Sequence, residues 1–140
     1  MIHRRAHVLV PGTCEAEIVR SERTLSFWGG VDARTGVIID RRHDRCGVSL
    51  SGRAFVVPGE KGSSTGSAVL LELIRIGRAP AAILSLQETP VLALGSIVAD
   101  ELYGRSIPVL VIRPEDRDAL ADGDRIEISR DGSLIVHKRA

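Results

Sequence analysis

Ten consecutive residues hold the chain's best prospect for chemistry: Pro58-Gly59-Glu60-Lys61-Gly62-Ser63-Ser64-Thr65-Gly66-Ser67. Three glycines, four hydroxyl side chains and one lysine are packed into this stretch. Before it lies the β-branched run Ala54-Phe55-Val56-Val57; after it, Val69, Leu70, Leu73 and Ile74 recur at the spacing of one helix face. Glycine allows tight bends and close approach to a ligand. Free amides at a helix start, with the helix dipole, attract carboxylate or phosphate. The pattern predicts an anion-binding turn with a serine at its tip. Simple helix capping by Ser63, Ser64 or Thr65 is the competing reading, although one cap needs only one oxygen. A nucleotide P-loop does not fit, because Lys61 precedes Gly62 instead of following the last glycine. No G-x-S-x-G nucleophile elbow is present. Residue pattern alone stops at an anion site.

The elements that must position this loop can be read on either side of it. Residues 6 to about 57 are strand-like, with runs at 6–10, 15–19, 37–39 and 54–57 bounded by Gly and Pro turn signals. The helix after the loop should stop at Gly77, with Pro80 following. Ala81-Ala82-Ile83-Leu84 predicts a short buried strand. Thr89-Pro90 predicts an N-cap and first helical residue of a helix running toward Tyr103. Residues 108–112 form a further buried strand, so strand–helix–strand spacing implies parallel pairing. Residues 125–128 and 134–136 alternate by twos around Asp131-Gly132, which predicts a hairpin. The expectation is an α/β chain, β-rich at both ends, forming one domain over residues 1–140.

Composition narrows the function classes. A net charge of +1 and interleaved charges, as in Arg113-Pro114-Glu115-Asp116-Arg117-Asp118, give no binding stripe for nucleic acid or an anionic membrane. That run reads as a solvated face. No apolar stretch approaches the roughly 20 residues of a membrane span, and the N-terminus lacks a signal-peptide pattern. A cytoplasmic protein is expected, with Cys14 and Cys46 as reduced thiols and no metal cluster. Of 19 basic residues 17 are Arg, which points to a GC-rich genome. His43, in the charged turn 41–45, reads as solvated. Asp32 is either a turn residue or part of a substrate cleft. Phe27 and Trp28 are divided between core and interface, and His3, His7 and His137 carry no functional reading.

Several segments taken together are more specific. Ser26-Phe27-Trp28-Gly29-Gly30-Val31-Asp32, Thr35-Gly36-Val37-Ile38-Ile39-Asp40, the serine loop 58–67 and Gly77-Arg78-Ala79-Pro80-Ala81-Ala82-Ile83 resemble the swivelling domain of the aconitase X family, over about residues 6 to 138. The resemblance implies a swivelling β/β/α fold with mixed sheets and a few helices. It also implies a hydro-lyase that dehydrates a small hydroxy acid, acting as a heterodimer. This chain would be the small subunit, and a large catalytic subunit would hold the iron or iron-sulfur centre. Cis-3-hydroxy-L-proline is the expected substrate and mevalonate 5-phosphate the alternative. A non-catalytic regulatory or scaffolding module of the same fold is the competing class. Gly62-Ser63-Ser64 matches the Gly-Ser-Ser of ordinary aconitases, which makes Ser63 the expected catalytic base. Gly62, Ser64, Thr65, Lys61 and Asp32 are then the expected substrate contacts. Ordinary aconitases continue with Arg and Glu where this chain has Thr65 and Gly66, so the arginine contact is absent from this loop.

Overall fold

The computed structural model describes residues 1–139. Eight strands form one curled sheet: β1 (Ile2–Arg5), β2 (His7–Val10), β3 (Cys14–Arg20), β4 (Ala54–Val57), β5 (Ala82–Ser85), β6 (Val109–Val111), β7 (Arg125–Ile128) and β8 (Ser133–His137). Their spatial order is β1-β8-β7-β3-β4-β5-β6-β2. The two outermost strands, β1 and β2, are consecutive in the chain and joined through Ala6. One strand run therefore serves both edges and nearly closes the sheet into a barrel, with no long free edge. Strands β3 to β6 are parallel, and the β7–β8 hairpin is antiparallel with β3 and β1. The expected parallel unit and hairpin are both present. The mixed sheet with a few helices agrees with the α/β expectation.

Alternation along the strands fills two cores. Ala54 and Val56 of β4 point into the barrel, with Ile18, Leu84, Leu110, Ile126 and Val136. Phe55 and Val57 point outward, under helices α2 (Gly66–Ile76) and α3 (Pro90–Tyr103), against Leu70, Leu73 and Leu92. With both faces covered, β4 and β5 are buried along their whole length, which is why their sequences are apolar throughout except for the buried Ser85. Helix α2 ends where expected, on Gly77 at φ 76°. The helices pack closely because position 95 is glycine. A Cβ there would lie 2.7 Å from the Ser67 carbonyl oxygen.

Four expectations need correction. Residues 37–39 form isolated bridges, Val31 with Ile38 and Val37 with Ser49, rather than a strand, because positive-φ turns at Gly36 and Gly47 enclose them. Strand β1 was not expected; its exposed His3, Arg4 and Arg5 show no apolar alternation, since the strand is held by pairing along β8 and buries little beyond Ile2. Thr89 makes no capping bond to α3. The run 113–118 is not a solvated face throughout. It contains the short helix α4 (Pro114–Arg117), and its Asp116 is 1% exposed, paired with Arg4 at 2.9 Å and Arg113 at 3.2 Å.

Candidate active site

Helices α2 and α3 leave the same end of the parallel strands, following β4 and β5. Crevices at such strand ends are the usual ligand sites of parallel sheets. The serine loop spans this end. The two most distinctive segments of the sequence meet here, because residue 25 pairs with residue 60. The Leu25 amide donates to the Gly59 carbonyl and the Lys61 amide to the Leu25 carbonyl. The short element α1 (Phe27–Gly30), a tight turn with non-helical φ and ψ at Trp28 and Gly29, then lies against the start of α2: a Cβ on Gly66 would stand 3.6 Å from the Phe27 Cβ and 3.7 Å from the Trp28 backbone nitrogen. Gly62 is doubly constrained. Its φ is +87°, and a Cβ there would fall 2.5 Å from the Ser26 hydroxyl.

Around the loop tip, Lys61, Gly62, Ser63, Ser64 and Thr65 are all exposed. The Ser63 Oγ accepts a 3.0 Å hydrogen bond from the Thr65 amide. Such a donor stabilises oxygen as charge develops on it. The amides of Gly62, Ser63 and Ser64 donate to no acceptor among the described residues. Thr65, the N-cap residue of α2, gives no side-chain cap, and neither does Ser64, whose carbonyl accepts from the Ser67 hydroxyl at 2.9 Å. An exposed serine, unpaired amides and a helix N-terminus thus stand together, a setting for a carboxylate beside a nucleophilic or basic oxygen.

Sequence reasoning missed Glu60. Its two carboxylate oxygens accept from the Val91 and Leu92 amides at 2.9 and 3.0 Å, closing the N-terminus of α3 in place of Thr89. Glu60 and Lys61 are the only charged residues of the loop, so with Glu60 directed at α3 its remaining charge is Lys61. No local signal marks this pair, whose members are 31 residues apart.

The other expected residues fall into place individually. Asp32 closes its own turn, its Oδ1 accepting from the Arg34 amide at 2.8 Å. Phe27 is core, whereas Trp28 is 58% exposed. His43 is buried, contrary to the solvated reading. Its Nδ1 accepts from the Arg45 amide, and its Nε2 lies 3.0 Å from the Ser21 hydroxyl and 3.1 Å from the Arg23 carbonyl. The accepting Nδ1 fixes the neutral tautomer with hydrogen on Nε2, so His43 ties the 41–45 turn to the end of β3.

Among the described residues, no three His, Cys, Asp or Glu side chains group together to hold a metal ion. Burial pushes the Cys14 thiol up to about 11, away from the thiolate that iron would need, and Cys46 stands apart and exposed. The side chains present therefore do not fit an iron centre. No helix among the described residues is long and apolar enough to cross a membrane.

A family model described as the aconitase X swivel domain matches residues 3–137. Cis-3-hydroxy-L-proline dehydratase of Pseudomonas aeruginosa is 48% identical over 97% of this chain, which spans 25% of that enzyme's length. The phosphomevalonate dehydratase small subunit of Methanopyrus kandleri is 42% identical, with 87% of each chain covered. Among solved structures, holo aconitase X of Thermococcus kodakaraensis superposes with a TM-score of 0.87 at 29% identity, covering 99% of this chain and 100% of that one.

Proposed function

Because the chain belongs to the aconitase X family through its swivel domain, we propose that it contributes Ser63 as the base of a hydro-lyase that dehydrates a small hydroxy acid. The observation that carries this reading is the Ser63 hydroxyl at an exposed turn, held by the Thr65 amide beside unpaired amides at the start of α2. A proton on carbon next to a carboxylate is weakly acidic, so its removal needs a strong, positioned base. The ionised Ser63 oxygen takes that proton. The electron pair left on carbon forms the double bond as the hydroxyl on the neighbouring carbon departs and, with a proton, leaves as water; the partner's iron centre would supply the Lewis acid that favours its departure. The Thr65 amide and the α2 dipole favour the charged serine oxygen. The amides of Gly62 and Ser64, with Thr65 and Lys61, receive the substrate carboxylate; the second carboxylate oxygen of Asp32 accepts from a donor group of the substrate, its amine or hydroxyl.

The loop is half of a site. A larger catalytic partner supplies the other half, including the iron or iron-sulfur centre expected of the family, for which the described residues of this chain offer no fitting side-chain group. We take the heterodimer to be cytoplasmic.

As substrate we propose cis-3-hydroxy-L-proline ahead of mevalonate 5-phosphate. The identity to the Pseudomonas enzyme supports this order. So does the loop's charge, because Lys61 alone is little to set against a phosphate and a carboxylate together. The test is turnover of each substrate by the complex of this chain with its larger partner. Hydroxyproline should be dehydrated, and Ser63→Ala should abolish the reaction without loosening the complex. Turnover of mevalonate 5-phosphate alone would reverse the order of substrates, and undiminished turnover by Ser63→Ala would remove the serine from the mechanism.

A further inference from the structure

We propose that the uncharged face running from Trp28 across the first turns of α2 to the middle of α3 is the surface on which the larger catalytic part of the dehydratase docks; this rests on the reading above. Residues 66–71 of α2 and 90–98 of α3 include no charged side chain. Yet part of this stretch faces solvent. Leu94 is 53% exposed with Ala68 exposed across the groove from it, whereas Ile97, 47% exposed, marks the edge of the face on the flank of α3 toward Pro11 and Arg130. Between the helices runs a shallow groove of about 140 Å³ lined by Ala68, Leu71, Leu94 and Val98, with Ser67 and Gly95 at its floor. On the other side of the α2 N-terminus stands the exposed indole of Trp28. Charge returns only farther along, at Glu72 and Arg75 on α2 and at Asp100 and Glu101 on α3. An apolar centre with a charged margin and an aromatic anchor is the make-up of a protein interface core, and water is a poor permanent neighbour for it.

The occupant follows from the position of this face. It borders the serine loop, whose Ser63 is exposed and must be enclosed before it can act as a strong base. In the Pseudomonas relative the matched segment is 25% of the chain, which leaves about three quarters to pack against it. A second copy of this chain would cover the same apolar area. It would bring only another serine loop, however, and would leave both sites incomplete.

Binding of the purified larger partner to this chain is measured by isothermal titration, with melting of the isolated chain followed in parallel. Leu94→Glu should weaken binding on the order of 100-fold, the scale of a central anchor residue, and Trp28→Ala on the order of 10-fold or more. Leu102→Glu, at the far end of α3 beyond Asp100 and Glu101, should stay within about threefold. If Leu94→Glu lowers the melting point, Leu94→Gln replaces it, expected at roughly 10-fold. Binding of Leu94→Glu and Trp28→Ala within about threefold of the unaltered chain would overturn the proposal. So would sedimentation showing the unaltered chain as a dimer that Leu94→Glu dissociates, since the face would then belong to a second copy. Turnover separates this inference from the one beneath it. A complex that Leu94→Glu disrupts but that dehydrates no hydroxy acid keeps the surface and sinks the reaction. An active complex indifferent to Leu94→Glu does the reverse.

Discussion

Removing the Glu60 carboxylate tests whether the serine loop is braced by α3. In Glu60→Ala the Val91 and Leu92 amides lose their acceptors, which now stand at 2.9 and 3.0 Å. Leu92 is buried, so its amide is poorly placed to recruit water, while the half-buried Val91 recovers part of the loss. A single cap substitution costs about 0.5–2 kcal/mol, and a hydrogen bond to a charged group about 1.5–3 kcal/mol. With two bonds to one carboxylate and partial rescue by water, we expect about 2 kcal/mol. Unfolding entropy of about 2.1 cal/mol/K per residue gives roughly 0.3 kcal/mol/K for a chain of this length, so the melting point should fall by about 7 °C. Glu60→Gln retains one acceptor oxygen and loses the charge, and should lose about half as much. Circular dichroism melts give the shifts, and amide exchange of Val91 and Leu92 should accelerate in Glu60→Ala beyond the general loss of stability. An exposed carboxylate with no structural role would cost within about 0.5 kcal/mol. A shift below about 1.5 °C, with unchanged exchange at both amides, would therefore refute the bracing.

Three other perturbations probe the site and its surroundings. Ser63→Ala should lower the melting point by only about 3 °C, the loss of one exposed hydrogen bond from the Thr65 amide, while turnover in the assembled enzyme falls by about 10²- to 10⁴-fold. Gly62→Ala meets both a φ of +87° and the Ser26 hydroxyl at 2.5 Å; it should cost about 1–3 kcal/mol in urea unfolding, and an unchanged midpoint would contradict the loop geometry. Burial raises the Cys14 thiol to about 11, so at about pH 8 only about one molecule in a thousand carries its thiolate. Iodoacetamide should then label exposed Cys46 first, with Cys14 labelling climbing about tenfold per pH unit toward 11, as followed by peptide mass spectrometry.

Where the sequence was legible, the signal was local. Helix α2 shows its apolar spacing and its terminal glycine within a dozen residues, and the β7–β8 hairpin its alternation around Asp131-Gly132. The parallel strands are buried on both faces and read directly as apolar runs. Strand β1 failed because it is fixed by pairing with β8, at the opposite end of the chain, while three of its four side chains are polar. Residues 37–39 failed in the other direction, their β-branched side chains serving a series of turns. At the site, the loop and the Phe-Trp-Gly-Gly segment were visible as composition, but their meeting through Leu25 and Glu60 was not. Glu60 and His43 are defined by partners 31 and 22 residues away, and a polar residue in a turn looks solvated until those partners are placed.

The unequal treatment of two equivalent helix starts is the strongest physical argument that the loop has work beyond folding. Helices α2 and α3 both begin at the same end of the parallel strands, and each brings unpaired amides and a positive dipole end. At α3 the problem is solved by the Glu60 carboxylate on two amides. At α2 the entering loop offers three hydroxyls, on Ser63, Ser64 and Thr65, and only one of them takes an amide. That one is Ser63, which accepts from Thr65 in the manner of a cap, since Thr65 already has helical φ and ψ, and it remains exposed. One neutral hydroxyl on one amide contributes about 1 kcal/mol, less than a carboxylate on two. A loop shaped for stability alone would use more of its hydroxyls there. This loop instead keeps the serine oxygen outward and the amides of Gly62, Ser63 and Ser64 unpaired, as binding and deprotonating an anionic substrate would require.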